Sequence, residues 1–556
     1  MASGILGIGI TGLNAAMGAV RTTQHNIANA NTPGFHRQEV QLTANPPTYT
    51  GAGFFGNGVA VATVTRIYSQ FLDNELMRSQ GQQARYEVYS AYAGQIDRVL
   101  GDKDSGLGSA LSSFFGAVQE VANDPASMAA REAMLAAGRN LAGRMNNLGA
   151  TLDGMLEGIN DEMASIADQA NTYLRRIADL GDRIAMQQAM GGNPPNDLMD
   201  QREQLTAELN KLVNVTVLRG GDGSYNLYLG GGQPLLVGNR PNLLGVTTNP
   251  HDSSLRELTL SVGGASVKLD DILIAGGRLG GLLALREDLL QPARQDLGRV
   301  AIGLAKAFND LHSTGYALDG STTGVDFFTL AGLRAPVPAA GNTGTAQYSL
   351  SLANAQNLRP DDYSLSFDGA NYQLTRFSDG TTYTAANLIT LNGLIGPAEG
   401  FTLNLVSGSI VAGDRYVLRN HMADGAGSFT LAAAVNGQPE RIAAASVAGA
   451  PGDGSNAMSL AQLQTQPYLA DATATFHNAY GVLIGRTANL ADEADIALKA
   501  YDSLSRQAFE NQQALSGVNL DEEAANLIRY QQAYQAAARA MQVATSLLEE
   551  VLSIGR

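Results

Sequence analysis

The chain has no cysteine and no tryptophan among its 556 residues, and aromatic side chains make up only 6%. Without cysteine there are no disulfides, no thiolate metal sites and no cysteine nucleophile. So few rings disfavour a carbohydrate cleft built on stacking platforms. Basic residues are outnumbered 36 to 52, and the resulting net charge of −16 argues against a chain-wide footprint for nucleic acid or an anionic membrane surface. Charge is missing altogether from residues 1–20. That stretch is nevertheless interrupted by Thr11, Asn14 and glycines at 4, 7, 9, 12 and 18, which spoils it as a spanning helix. Its first basic residue, Arg21, comes too late for a secretory signal peptide, so no membrane contact and no cleaved leader are expected. What the chain has in quantity is glycine, 63 residues, within a 44% hydrophobic composition. Length and composition together predict real cores and roughly three to four domains.

The motifs of catalysis are missing as well. The six histidines (His25, His36, His251, His312, His421 and His477) form no HExxH or other close ligand pair. There is no Walker A loop and no nucleophile elbow. Gly7-Ile8-Gly9-Ile10-Thr11-Gly12 spells a dinucleotide fingerprint, but no strand precedes it and no βαβ unit follows, so it is rejected. Asp102-Lys103-Asp104-Ser105-Gly106 begins like a calcium loop, yet Ser113 stands where the bidentate glutamate belongs, and a polar turn is expected. His36-Arg37 beside Phe35 reads as a solvated surface turn. No catalytic residue, cofactor or metal is predicted.

The two ends of the chain carry the clearest pattern. Leu6, Ile10, Leu13, Met17, Val20, Gln24 and Ile27 recur at alternating spacings of four and three, a narrow coiled-coil seam. Each interior glycine costs this helix about 1 kcal/mol relative to alanine, so it should form only when something packs on it. At the far end Leu520, Leu527, Tyr534, Met541 and Leu548 make a seven-residue ladder, with Tyr530, Ala537, Ala544 and Val551 as its companion and Leu552 widening the stripe. Asn519 caps this helix, and Asp521, Glu522 and Glu523 suit its positive end. Ordering each residue costs about 1–2 kcal/mol of backbone entropy, and each buried seam side chain returns roughly 1.5–3 kcal/mol. A two-helix pair cannot cover that. Either the rest of the chain or other copies must complete the bundle, and the pattern favours other copies.

Between the ends, Asn26-Ile27-Ala28-Asn29-Ala30-Asn31-Thr32-Pro33-Gly34-Phe35 predicts a helix stop followed by a Pro-Gly turn. Strands follow to Ile67, and helix dominates 71–213. Residues 215–237 and 255–274 read as strands with glycine-rich turns, 278–312 as helix, 315–467 as β-rich and 470–515 as helix. The expected fold class is mainly α with β-rich outer modules: an elongated multidomain rod with nested, discontinuous domains and terminal helices in an assembly-dependent coiled coil. The expected divisions are a terminal axial domain (1–32 and 520–556), a helical body (33–213, 278–314 and 471–519) and β-rich outer modules (214–277 and 315–470).

The Asn26–Phe35 segment after a glycine-rich first helix resembles the N-terminal signature of the bacterial flagellar axial proteins (rod, hook and hook-associated). Ser516-Gly517-Val518-Asn519-Leu520-Asp521-Glu522-Glu523-Ala524-Ala525-Asn526-Leu527-Ile528, with Tyr530-Gln531-Gln532-Ala533-Tyr534, is similar to the C-terminal signature of the hook-associated members, as is Gly56-Asn57-Gly58-Val59 leading into Arg66-Ile67-Tyr68. The helical block at 71–213 would be out of place in hook protein. The likeness covers the two ends and leaves 315–467 aside. It implies a non-enzymatic extracellular structural protein of the flagellum, a ring of copies adapting hook to filament. Export would be as an unfolded chain through the flagellar type III system, without a cleaved signal, with a cytoplasmic chaperone covering the C-terminal stripe. Hook protein, hook-associated protein 3 and other copies of the chain are the implied partners. The alternatives are another axial component such as hook protein, or a secreted enzyme or adhesin acting through 315–467.

Overall fold

The computed structural model describes residues 2–554 except 52, 103–105, 192–193, 221–223, 271–273, 321–323 and 330–331. The chain leaves its N-terminus as α1 (Ala2–Ala28) and turns into a ribbon of β1 (Gln38–Ala44) and β4 (Val59–Arg66), with a small hairpin of β2 (Thr48–Thr50) and β3 (Gly53–Phe55) at its tip. Four helices follow: α2 (Gln70–Leu100), α3 (Leu107–Asn123), α4 (Met128–Gly191) and α5 (Asn196–Val213). At 1.5 Å per residue, α4 alone is about 96 Å long, and it sets the elongated shape.

These helices form where the pattern demands. In α3, Leu107, Ala110, Leu111, Phe114, Phe115, Val118 and Val121 recur at helical spacing and are all buried. Ser69 caps α2 by accepting from the Leu72 N–H. The polar turn expected at 102–106 lies largely outside the described residues, and Ser113 sits within α3.

Two antiparallel sheets come next. The first runs in the order β5 (Val215–Arg219), β6 (Tyr225–Leu229), β7 (Pro234–Val237), β8 (Arg240–Pro241). The second comprises β9 (Leu244–Asn249), β10 (Asp252–Val262) and β11 (Ala265–Lys268), with β10 central. Leu227, Leu236, Leu244 and Leu258 from these sheets belong to the same core as the body helices, so the core is continuous across residue 213. The chain re-enters the body through α6 (Gly277–Leu285), one π turn at Arg286–Leu290, and α7 (Gln291–His312). Phe114 of α3 meets Phe308 of α7, Phe327 and Phe328 with ring centroids 5.2–5.8 Å apart, a packed aromatic centre.

A second core gathers residues between 346 and 422 and takes in Ile302 of α7. Here β12 (Val337–Pro338), β14 (Tyr363–Phe367), β15 (Tyr372–Arg376), β16 (Thr382–Ala385) and β18 (Arg415–Leu418) make a five-stranded sheet, while β13 (Gln347–Leu352) pairs with β17 (Phe401–Ser407) under α8 (Leu388–Glu399). The segment 420–454 is mostly turns, and its Phe429, Val435 and Ile442 return to the body core. After α9 (Ser455–Gln462) and the single turn α10 (Leu469–Ala472), α11 (Phe476–Ser516) runs back along α2, and α12 (Leu520–Ile554) lies against α1. Both ends of the chain therefore meet. No helix among the described residues is long and apolar enough to cross a membrane.

Candidate assembly interface at the chain ends

The α1–α12 contact corrects the expected seam. The residues of α1 that face inward are Gly9, Gly12, Ala16, Ala19, Thr23 and Asn26, one position before the predicted stripe and about 100° around the helix from it. Gly9 lies against Met541, where a Cβ would stand 2.6 Å from the methionine Cγ, and Gly12 faces Ala537. Small residues let the two backbones approach closely. The larger side chains are displaced to the flanks: Ile10 is exposed, and Leu6, Leu13, Met17, Val20 and Ile27 are only half-buried.

On α12 the predicted ladder does lie toward α1. Leu527, Tyr530, Met541 and Leu548 are half-buried and Ala544 is buried, whereas Leu520 and Tyr534 remain exposed. The side chains of Val551 and Leu552 lie outside the described set. A further stripe, Ile528, Gln532, Ala536, Ala540, Val543 and Leu547, runs along the opposite side of α12 and is exposed throughout. Asn519 caps α12 by accepting from the Asp521 and Glu522 N–H groups. The Glu522 carboxylate reaches Arg37 at 2.7 Å instead of closing a capping box.

The turn motif is sewn to this pair by its polar side chains. Asn26 is buried and behaves like a strand residue, its amide donating to the Gln38 carbonyl and its oxygen accepting the Gln38 N–H. Asn29 donates to the His25 carbonyl and accepts from Thr32, which finishes the helix. The Phe35 N–H closes on the Thr32 carbonyl around Pro33 and Gly34, and Gly34 has φ +76°, as a type II turn requires at its third position. Phe35 then stacks edge-on to His25, while Asn31 points to solvent. The Arg37 N–H donates to the Ser516 carbonyl, tying this turn to the end of α11.

Contrary to the expected solvated turn, His36 is buried. The N-terminal half of α5 presents Asp197, Asp200 and Glu203 on one face, with Asp197 in the first turn at the positive helix end. Asp200 accepts from the His36 imidazole at 2.8 Å and from Arg66 at 2.5 Å. Glu203 accepts from Arg66 at 2.8 Å and from Arg219 at 2.9 Å, and Asp197 accepts from Gln38. The Arg219 guanidinium also lies 4.5 Å over the Tyr68 ring. Burial alone would lower the His36 pKa, but the bond to Asp200 and the charges of Asp200, Glu203 and Asp73 outweigh it and raise the pKa above 6.5. His36, Asp200 and Glu203 bring ligand-type atoms within 4.8 Å of one another, as a metal site would. Arg66 already bonds both carboxylates, so the cluster is a filled ion-pair network.

His36 and Arg66 stand out in the sequence for other reasons, but their union with Asp200 and Glu203 is made only by the fold. The usable signal was the i, i+3, i+6 spacing of the three α5 carboxylates, set against Arg66 at the end of a long uncharged run.

Paired end helices, a polar turn clamped beneath them and a long helical body define an axial protein of the bacterial flagellum, and residues 511–554 match the family model of the flagellar basal body rod FlgEFG protein C-terminal region. Residues 93–328 match the flagellar hook-associated protein FlgK helical domain, and 337–420 the D2-like domain of flagellar hook-associated protein 1. The chain belongs to the flagellar hook-associated protein 1 (FlgK) family. It is 32% identical to flagellar hook-associated protein 1 of Salmonella typhimurium over 99% of this chain and 100% of that protein. Identity to the Escherichia coli protein is 31% over the same shares. The fold is that of the flagellar hook junction protein FlgK from Burkholderia pseudomallei, with a TM-score of 0.69 and 24% identity over 80% of this chain and 100% of that one.

Two predictions follow from the clamp. Gly34→Val places a Cβ 2.6 Å from the Gln204 Oε1 and demands a φ that valine resists, so we expect a loss of about 1–3 kcal/mol, read as a lower thermal midpoint of the purified chain. Because the folded His36 pKa is raised, its contribution is complete below pH 6.5 and is lost as pH rises through the folded value. Amide exchange of residues 26–38 should accelerate on going from about pH 6 to about pH 9 beyond the intrinsic chemical rate, and His36→Gln should abolish that excess.

Proposed function

We propose that this chain is a non-catalytic structural protein that forms the hook–filament junction as a ring of copies, adapting hook to filament. Its terminal helices are the assembly elements. The observation that carries this reading is the pair of uncovered apolar faces: α1 keeps Ile10 and its half-buried neighbours on one flank, and α12 leaves Ile528, Val543 and Leu547 open on the side away from α1. Soluble monomers seldom leave such continuous faces bare, and a bundle completed by other copies removes them from water.

The end helices also bear on delivery. A chain whose ends gain most of their order from neighbours suits export in unfolded form through the flagellar type III apparatus, and a cytoplasmic chaperone would cover Leu527, Tyr534, Met541 and Leu548 until then. Hook protein and hook-associated protein 3 are the axial neighbours on either side in this reading, which takes support from family membership. The assembled location is the extracellular flagellum.

Deletion of the gene should leave hooks that lack filaments, scored by electron microscopy; filaments of normal number would refute the junction role. Leu527→Asp or Leu548→Asp should lower incorporation at least about tenfold, a difference of about 1.4 kcal/mol, because a carboxylate would have to enter the bundle. The main thermal transition of the purified chain should be unchanged. Loss of that transition would instead place α12 within the body core.

A further inference from the structure

The ribbon that leaves α1 carries no charged side chain between Glu39 and Arg66. At its tip the β2–β3 hairpin exposes Tyr49 (65%), Phe54 (73%) and Phe55 (57%). Tyr49 and Phe54 are cross-strand partners with ring centroids 5.2 Å apart, and Phe55, the next residue, projects from the opposite face. Both faces of the hairpin are therefore aromatic. At about 200 Å² per ring, the three leave on the order of 400 Å² open.

The hairpin is held in place before any partner arrives. The Asn57 amide donates to the Pro46 carbonyl at 2.6 Å and to the Thr48 hydroxyl at 2.7 Å. The Asn45 amide donates to the Asn57 carbonyl at 3.1 Å. Fixed polar brackets around an apolar tip are what a docking element needs, since little ordering entropy remains to be lost on binding.

Its height along the end helices identifies the occupant. Gln38 bonds Asn26, Val61 lies against Gly18, and the Val59 N–H reaches the Thr11 hydroxyl, so the ribbon runs back along α1 toward its first turns. Gly58, at the base of the hairpin, lies against Ile8, and Gly9 is level with Met541, so the base sits near the height of Met541, with Val543 and Leu547 the outer apolar residues within about 9 Å along the axis. Those residues belong to the uncovered outer stripe of α12, and no acidic side chain occurs between Ala524 and Leu548. A second copy displaced sideways would present that stripe to the hairpin with little axial shift.

We propose that the β2–β3 hairpin of one copy seats on the outer face of α12 around Val543 and Leu547 of a second copy of this chain. The contact is head-to-tail, with different surfaces on the two copies, and contacts of that type close into a ring where the rotation between copies closes and continue as a helical array where it does not. The proposal rests on the self-assembling role stated above and adds the surfaces that meet.

The natural absence of cysteine makes the test direct. Flagella are isolated from cells that carry full-length chain with both Phe54→Cys and Val543→Cys, then oxidised and run on a non-reducing gel. A ladder at multiples of the chain mass, absent from either single variant, supports the seat. A bond within one chain, a cross-link to a polypeptide of another mass, or no ladder from flagella of normal appearance overturns it. In parallel, Phe54→Ser combined with Phe55→Ser should lower filaments per cell at least about tenfold, with the purified monomer melting as the parent does. Undiminished filament number would overturn the proposal. Should this pair assemble normally while Leu527→Asp does not, the hairpin seat fails and the junction role stands.

Discussion

The close approach of α1 and α12 along Gly9, Gly12, Ala16 and Ala19 is the constraint on which the rest turns. A seam of small residues brings backbones together and gains from many short-range contacts. It also has a geometric consequence: large side chains that would otherwise fill the seam are rotated onto the flanks. With leucine and isoleucine inside, the pair would have been better buried and its outer faces free to be polar. With glycine and alanine inside, the apolar residues remain at the surface, where only another molecule can cover them. The glycines that weaken α1 as an isolated helix are thus the same residues that fit it to its neighbour.

A second constraint joins this pair to the body. The clamp beneath it unites the turn after α1, the end of β4, the start of α5, and the junction of α11 with α12. Buried charges are expensive unless every partner is present, and removing one member of such a network typically costs about 3–5 kcal/mol. A network of this kind has few alternative arrangements of similar energy. It ties the end helices to the body through the start of α5 and the end of α11.

Much of the architecture was legible because it depends on local periodicity. The 3–4 spacing of the end helices, the Pro33-Gly34 turn and the long helical block follow from residues near one another in the chain. The inner face of α1 was misplaced by one residue for a definite reason: periodicity registers large apolar side chains, and here the contact surface is the set of small residues beside them. The clamp was hidden for another reason. His36 and Arg37 look like isolated surface charges until the fold supplies Asp200, which is far away in sequence, and Glu522, which is farther still.

The outer module of residues 337–420 bears on whether the protein also does chemistry. Its most enclosed carboxylate, Glu399, is fully buried at the C-terminal end of α8, an unfavourable place for a negative charge. It accepts from Tyr363 at 2.8 Å, Tyr383 at 2.6 Å and Arg376 at 2.7 Å. Burial and the bond to Glu399 push the Tyr383 hydroxyl up to about 12. A carboxylate serving as a general base needs a lone pair aimed at a substrate and a path for that substrate to arrive. Glu399 has its oxygens turned to protein donors and no exposure. The same arrangement of buried acid and arginine recurs at the clamp beneath the end helices, and in both places it joins segments distant in sequence. Glu399 and the clamp carboxylates thus act as fasteners between parts of the chain.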